Sequence, residues 1–213
     1  MKTITAIEPQ KKRKNRYNLY INNSFFMGVD EDTIIKYSLS VGMKAPDNLI
    51  KNIEKTEEYS KAFSSAVKRL SFRARSKNEI KKYLKQKGYS NDVIKVTIEK
   101  LIQYKYLDDV AFTKAFIKEK QYFNKYGKKR LKYELYYKGV DKEIANQLIE
   151  ENAADEDEYK RALEVAQKKC SSFGSKENRN SKYKKLFSLL VRKGYSFDII
   201  SKVIKVVLNN SES

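Results

Sequence analysis

Cations and aromatic rings are the residues of this chain best placed to do chemistry, and they bunch. Lys118, Lys120, Lys125, Lys128, Lys129, Arg130 and Lys132 run beside Tyr122, Phe123, Tyr126 and Tyr133. Arg69, Arg73, Arg75, Lys77, Lys81 and Lys82 form a second group, and Lys182, Lys184, Lys185, Arg192 and Lys193 a third. Lysine and arginine neutralise phosphates while aromatic faces accept stacked bases, a combination that holds a single strand without reading its sequence. For any one of these residues, a solvated lysine face with tyrosines leaning into the core explains as much. Three groups at equivalent places favour a surface for a polyanion or an acidic protein. The candidate contact residues are Arg73, Arg75, Lys77, Lys81, Lys82, Lys125, Tyr126, Lys128, Lys129, Arg130, Lys182, Lys184, Lys185 and Arg192.

Other chemistry is poorly provided for. The chain has no histidine and one cysteine, which removes histidine general acid–base work, Ser-His-Asp and Cys-His triads, and zinc sites built from Cys and His. The run Asp155-Glu156-Asp157-Glu158 meets the positive end of a helix dipole at a helix start and needs no other role. Asp108-Asp109 read as a helix cap and a first-turn acid rather than a cation site. Cys170, seven residues beyond Leu163, reads as a small buried apolar residue, although Lys168 and Lys169 stand beside it. No catalytic group, metal or cofactor is expected, and an enzyme is the weakest class.

The 213 residues carry 46 Lys and Arg against 27 Asp and Glu, a net charge of +19 that barely changes across physiological pH. Such a chain meets polyanions. A lone cysteine asks for no oxidising compartment, and no apolar run suits a signal peptide or a membrane span, so the cytosol is the expected address. Seven Gly and two Pro leave few breaks, making helix the default. Sixteen Tyr and ten Phe in the absence of Trp are expected to supply much of the core.

The elements that position the cations repeat. Lys-Gly recurs at Lys87-Gly88, Lys138-Gly139 and Lys193-Gly194. Before each glycine stands an i, i+4 apolar pair: Ile80 and Leu84, Leu131 and Leu135, Leu186 and Leu190. After it comes a helical stripe: Ile94, Ile98, Leu101 and Ile102, then Ile144, Leu148 and Ile149, then Ile200, Ile204, Val207 and Leu208. Glycine ends a helix in the left-handed conformation, and the preceding lysine complements the negative helix end. Ser90, Asp141 and Ser196 are expected to cap the following helices, and Ser76 with Glu79 forms a capping box. A further helix precedes each pair, marked by Tyr59, Ala62, Phe63 and Ala66, by Phe112, Ala115 and Phe116, and by Tyr159, Ala162, Leu163 and Ala166.

The fold class expected is therefore mainly α: three tandem three-helix repeats in an elongated curved array, over residues 57–104, 105–153 and 154–213, after a small N-terminal β-meander. Residues 1–56 form the N-terminal extension, with strands over Thr3–Ile7, Tyr17–Ile21 and Phe25–Val29 and short helices over Thr33–Leu39 and Asp47–Ile53. The basic stretch Lys11-Lys12-Arg13-Lys14 separates the first two strands.

The order of these motifs resembles a known family. Arg73-Ala74-Arg75-Ser76 with Glu79, Leu84 and Lys87-Gly88-Tyr89, then Tyr106-Leu107-Asp108-Asp109 with Ala111-Phe112 and Phe116, resembles the RecX family of recombination regulators. Gly127, Arg130-Leu131, Glu134-Leu135 and Lys138-Gly139-Val140 are similar to its middle signature, and Arg192-Lys193-Gly194-Tyr195 to its third. Lys105 stands where the family usually has Gly, and Lys128 where Pro is common. The resemblance, over about residues 60–208, implies a non-enzymatic cytoplasmic regulator, expected as a monomer away from any membrane. It would bind filaments of the recombinase RecA on DNA and mostly inhibit their ATPase, strand-exchange and co-protease activities in recombination, DNA repair and the SOS response. The competing reading is a direct nucleic-acid binder, either a helix-turn-helix protein or a single-strand binder. No helix after a Gly turn carries the Asn, Gln and Arg that read base edges.

Overall fold

In the computed structural model, residues 2–11, 14–152, 155–174 and 177–209 are described, leaving Lys12 and Arg13 of the basic stretch and the side chains of Asp155 and Glu156 outside. The N-terminal strands β1 (Ile4–Pro9), β2 (Arg16–Ile21) and β3 (Ser24–Asp30) form an antiparallel sheet in the order β1-β2-β3. Asn22 and Asn23 both take positive φ, 49° and 63°, the two-residue turn whose twist suits a hairpin. Ile4, Leu19, Ile21 and Val29 face a small core completed by Leu39, Ala45, Ile50 and Ile53.

A short helix α1 (Glu31–Lys36) leads to α2 (Asp47–Leu70). The helix expected over Asp47–Ile53 and the one expected around Tyr59 are a single element, running without a break through residues 56 and 57. No Gly or Pro interrupts residues 47–70, and Glu57, inside the helix, is buried. Its side chain is 0% exposed and accepts hydrogen bonds from the Asp30 N–H (2.8 Å) and Thr33 Oγ1 (2.6 Å), with Arg16 Nη2 at 3.4 Å. A buried carboxylate needs such partners, and here they pin the hairpin to the helix.

The rest of the chain is helical: α3 (Lys77–Gln86), α4 (Asn91–Gln103), α5 (Asp109–Asn124), α6 (Lys128–Tyr137), α7 (Lys142–Asn152), α8 (Asp155–Cys170), α9 (Arg179–Lys193) and α10 (Phe197–Asn209). These make three tandem three-helix units, α2–α4, α5–α7 and α8–α10. Two compact bodies result, one of Met1–Arg73 with Ile80–Tyr106 and one of Ala74–Glu79 with Leu107–Ser213. The repeated apolar pairs Ile80/Leu84, Leu131/Leu135 and Leu186/Leu190 are fully buried. Ile94, Ile98, Leu101, Leu148, Ile149, Ile200, Ile204, Val207 and Leu208 are buried as the periodicity predicts, while Ile144 is half-buried and Ile102, at the C-terminal end of α4, is exposed.

The caps fall where expected. Ser90 Oγ accepts from the Val93 N–H, Asp108 Oδ1 from Val110 and Ala111, Asp141 Oδ1 from Glu143 and Ile144, and Ser196 Oγ from Ile199. Ser76 and Glu79 cap each other's N–H groups. Gly88, Gly139 and Gly194 take φ of 87°, 70° and 85°, the left-handed conformation of a helix C-terminus. Lys105 also has positive φ, 59°, which explains why a glycine suits its position.

The rings depart most from expectation. Of the sixteen tyrosines and ten phenylalanines, only Phe112, Phe116 and Tyr195 are buried. Leu, Ile, Val and Ala fill the cores, and Tyr122, Phe123, Tyr133, Tyr136 and Tyr137 stand exposed. Cys170 is half-buried at the edge of the third unit's core.

Candidate polyanion interface at the repeat junctions

The middle basic group lies where the second repeat meets the third, and the third group stands on α9 of the last repeat. At the first junction the start of α3 docks on the α6–α7 turn. Ser76 Oγ donates to the Lys138 carbonyl (2.6 Å), and the Lys77 N–H donates to Asp109 Oδ1 (2.8 Å). Asn78 lies so close over Gly139 that a Cβ there would meet its amide at 2.0 Å. Lys138 Nζ sits 3.6 Å from Glu79.

At the second junction the start of α6 docks on the α9–α10 turn in the same way. The Gly127 N–H donates to the Lys193 carbonyl (2.9 Å), the Lys129 N–H to the Gly194 carbonyl (3.1 Å), and the Lys128 N–H to Glu158 Oε1 (2.8 Å). Tyr195 Oη donates to the Lys125 carbonyl (2.7 Å) and Lys193 Nζ to that of Asn124 (2.6 Å). Burial pushes the Lys193 ammonium below its ordinary value and the Tyr195 hydroxyl well above its own. Backbone approaches backbone directly: a Cβ on Gly127 would stand 2.6 Å from the Gly194 oxygen, and one on Gly194 2.3 Å from the Arg130 nitrogen. The backbone of Lys128 makes a contact that a proline there would lack, an N–H donated to Glu158.

Asp109 and Glu158 are the residues that sequence reasoning undervalued. Both looked like first-turn helix acids, yet both are buried and each takes an N–H from the preceding repeat. The available signal was the recurrence of an acid at the start of each unit's first helix, with Gly127 opposite the second.

The side chains of the candidate cations divide into two sets. Lys125 Nζ pairs with Glu164 (3.0 Å), Lys128 with Glu150 (2.8 Å), Arg130 with Glu134 (2.6 Å) and Lys185 with Glu177. Hydrogen bonds from Lys128 and Lys132 hold Glu150 below the usual carboxylate range, and those from Lys185 and Ser181 do the same to Glu177. Half-buried Tyr126 lies between the Arg130 guanidinium and the Lys193 ammonium, 5.6 and 5.7 Å from its ring centre. Arg73, Lys81, Lys82, Lys129, Lys184 and Arg192 are exposed, whereas Arg75, Lys77 and Lys182 are half-buried. The first group is split: Arg73, Lys81 and Lys82 belong to one compact body, and Arg75 and Lys77 to the other. Lys81, Lys129, Lys184 and Arg192 make no ion pair with a described residue. Among the described residues, no group of three or more His, Cys, Asp or Glu side chains could hold a metal, and no helix is long and apolar enough to cross a membrane.

The fold defines a tandem three-helix-repeat protein whose second and third repeats interlock through a glycine turn and carry exposed cations. The chain belongs to the RecX family, because models of its domains match in order: the regulatory protein RecX N-terminal domain over residues 2–45 and the first, second and third RecX three-helix domains over 62–101, 108–149 and 155–204. Relatives named regulatory protein RecX agree. That of Clostridium perfringens is 32% identical over 213 residues, covering 99% of this chain and 98% of its own, and that of Oceanobacillus iheyensis is 31% identical, covering 96% and 76%. A crystal structure of a regulatory protein RecX superposes over 95% of this chain with a TM-score of 0.76 at 23% identity, a likeness of fold. RecX from Lactobacillus salivarius superposes over 71% with a TM-score of 0.63 at 26% identity.

Proposed function

We propose that this chain regulates the recombinase RecA on DNA, binding along the filament and restraining its ATPase, strand-exchange and co-protease activities. Membership of a family of regulatory proteins and the net charge of +19 support this reading. The observation that carries it is at least one exposed lysine, without an ion-pair partner among the described residues, on the second helix of every repeat: Lys81 on α3, Lys129 on α6 and Lys184 on α9. Cations repeated once per unit can meet successive acidic or phosphate positions on a filament and act together through effective concentration.

The test compares two triple charge reversals of equal net change. Lys81→Glu, Lys129→Glu and Lys184→Glu together should raise the concentration needed to inhibit RecA's DNA-dependent ATPase by about tenfold or more, one factor of ten per 1.4 kcal/mol lost. Reversing the exposed Lys95, Lys202 and Lys205 should change it little. Equal losses would leave only a diffuse field. Reversing Lys128 or Arg130 is a poorer probe, because both are already ion-paired and the Arg130 backbone packs on Gly194. The direct nucleic-acid binder is distinguished by affinity: a filament regulator binds RecA–DNA filaments more tightly than naked single strands at physiological salt, and a direct binder does not.

A further inference from the structure

Tyr133 and Tyr136 sit one helical turn apart on α6, 60% and 75% exposed. They do not face the core, which takes Leu131 and Leu135 from the same helix. Between α6 and α7 lies an open groove of about 330 Å³. Val140 and Ala145, both buried, form its apolar floor, the two tyrosines one wall, and Lys132, Lys142 and Asn146 the remainder of the lining. Neither tyrosine hydroxyl nor the Asn146 amide hydrogen-bonds to a described residue, and Lys142 makes no ion pair with one. Lys132 holds Glu150 at 3.2 Å, and the Arg130 guanidinium lies 5.5 Å from the Tyr133 ring centre.

A large ring left in water costs apolar hydration that a core position would avoid, so adjacent exposed rings beside an apolar floor mark a binding surface. The lysines decide what binds. An apolar helix laid on this groove would desolvate two ammonium groups without pairing them, and an acidic peptide would use the lysines and leave the rings idle. A nucleotide uses everything present: its base stacks on a tyrosine face, its phosphate meets an ammonium, and an amide can bond the base edge. Residues three apart on a helix are separated by about 4.5 Å along its axis. That exceeds the ~3.4 Å of stacked bases, as a partly extended single strand requires.

We infer that the α6–α7 groove binds single-stranded nucleic acid, with Tyr133 and Tyr136 stacking two neighbouring bases and Lys132 and Lys142 contacting the flanking phosphates. The groove's lining includes none of Lys81, Lys129 and Lys184, and its test involves no recombinase, so this inference and the proposed function can each fail alone. The probes are a fluorescent fifteen-nucleotide oligothymidylate and an abasic oligodeoxynucleotide of equal length, both titrated with the full chain. Replacing both tyrosines by Ala should weaken oligothymidylate binding by about thirtyfold or more, two stacking contacts' worth, and leave abasic binding within about threefold. Replacing both by Phe should keep oligothymidylate affinity, since the ring faces remain. Equal loss on both probes would mean a purely electrostatic surface, and no loss on either would mean that the tyrosines take no part. Either result overturns the inference. Photo-crosslinking with 5-iodouracil in the oligonucleotide supplies an independent readout: adducts are expected at Tyr133 or Tyr136, and adducts confined to other peptides count against the site.

Discussion

The turns at Gly88 and Gly194 are the same object locally and different objects in the fold. Each follows an apolar pair, takes a left-handed φ (87° and 85°), and ties the next residue back to the helix, Tyr89 to the Leu84 carbonyl and Tyr195 to that of Leu190. Around a Cβ built on Gly88 there is nothing within 4 Å, whereas one built on Gly194 would strike the Arg130 backbone. One glycine is needed only for its dihedral angle. The other is needed for its angle and for the space into which the preceding repeat packs, and Gly139 under Asn78 belongs with it. The same signature therefore serves as a helix stop at the first turn and as a docking surface at the two that follow.

Alanine substitution separates the two demands. The largest expected effect is from Gly194→Ala, which adds backbone strain to a collision with main-chain atoms that cannot swing aside; a loss of more than about 3 kcal/mol is expected. Gly88→Ala should cost only the left-handed strain, about 1 kcal/mol. Urea melts with hydrogen exchange in α6 and α9 measure both, and equal losses would break the comparison.

A second, smaller effect isolates docking from dihedral strain. Gly127 has an ordinary φ of −82°, so Gly127→Ala tests the close approach to Gly194 alone. Glu158→Ala leaves the Lys128 N–H without its acceptor. Each should cost about 2 kcal/mol, within the range for an unpaired buried donor or an overpacked contact. Protection lost chiefly at the start of α6 is expected; unchanged exchange there would remove the junction from the account of stability.

The smallest effect concerns pH. The Glu150 carboxyl lies below its ordinary value because Lys128 and Lys132 hydrogen-bond its ionised form. Its contribution is therefore complete above the unfolded carboxylate value, about 4.3, and is lost as pH falls through the lower folded value. An NMR titration of the Glu150 carboxyl should show its midpoint rise when Lys128 and Lys132 are both replaced by Ala; an unmoved midpoint would detach these lysines from Glu150.

Much of this was legible in the residues. The Ser76–Glu79 box, the caps at Ser90, Asp108 and Asp141, the apolar pairs and stripes, and the three strands all lie where composition and periodicity put them. The candidate site was legible as groups of cations, but not which cations are spent on Glu150, Glu134, Glu164 and Glu177. Glu150 and Glu164 stand on other helices, at separations no local pattern marks, whereas Arg130 and Glu134 are an i, i+4 pair within α6 that spacing alone offers.

The sequence by itself determined the helix ends, the threefold repetition, the hairpin and the charge, because a capping bond or an apolar stripe involves residues within a turn or two of one another. Only the tertiary structure decided that α2 runs unbroken past the buried Glu57, that the rings of α6 stay in water, and that Gly127 meets Gly194 backbone to backbone. Those outcomes depend on which surfaces from distant parts of the chain pack together, and on whether a polar group removed from water finds a partner there.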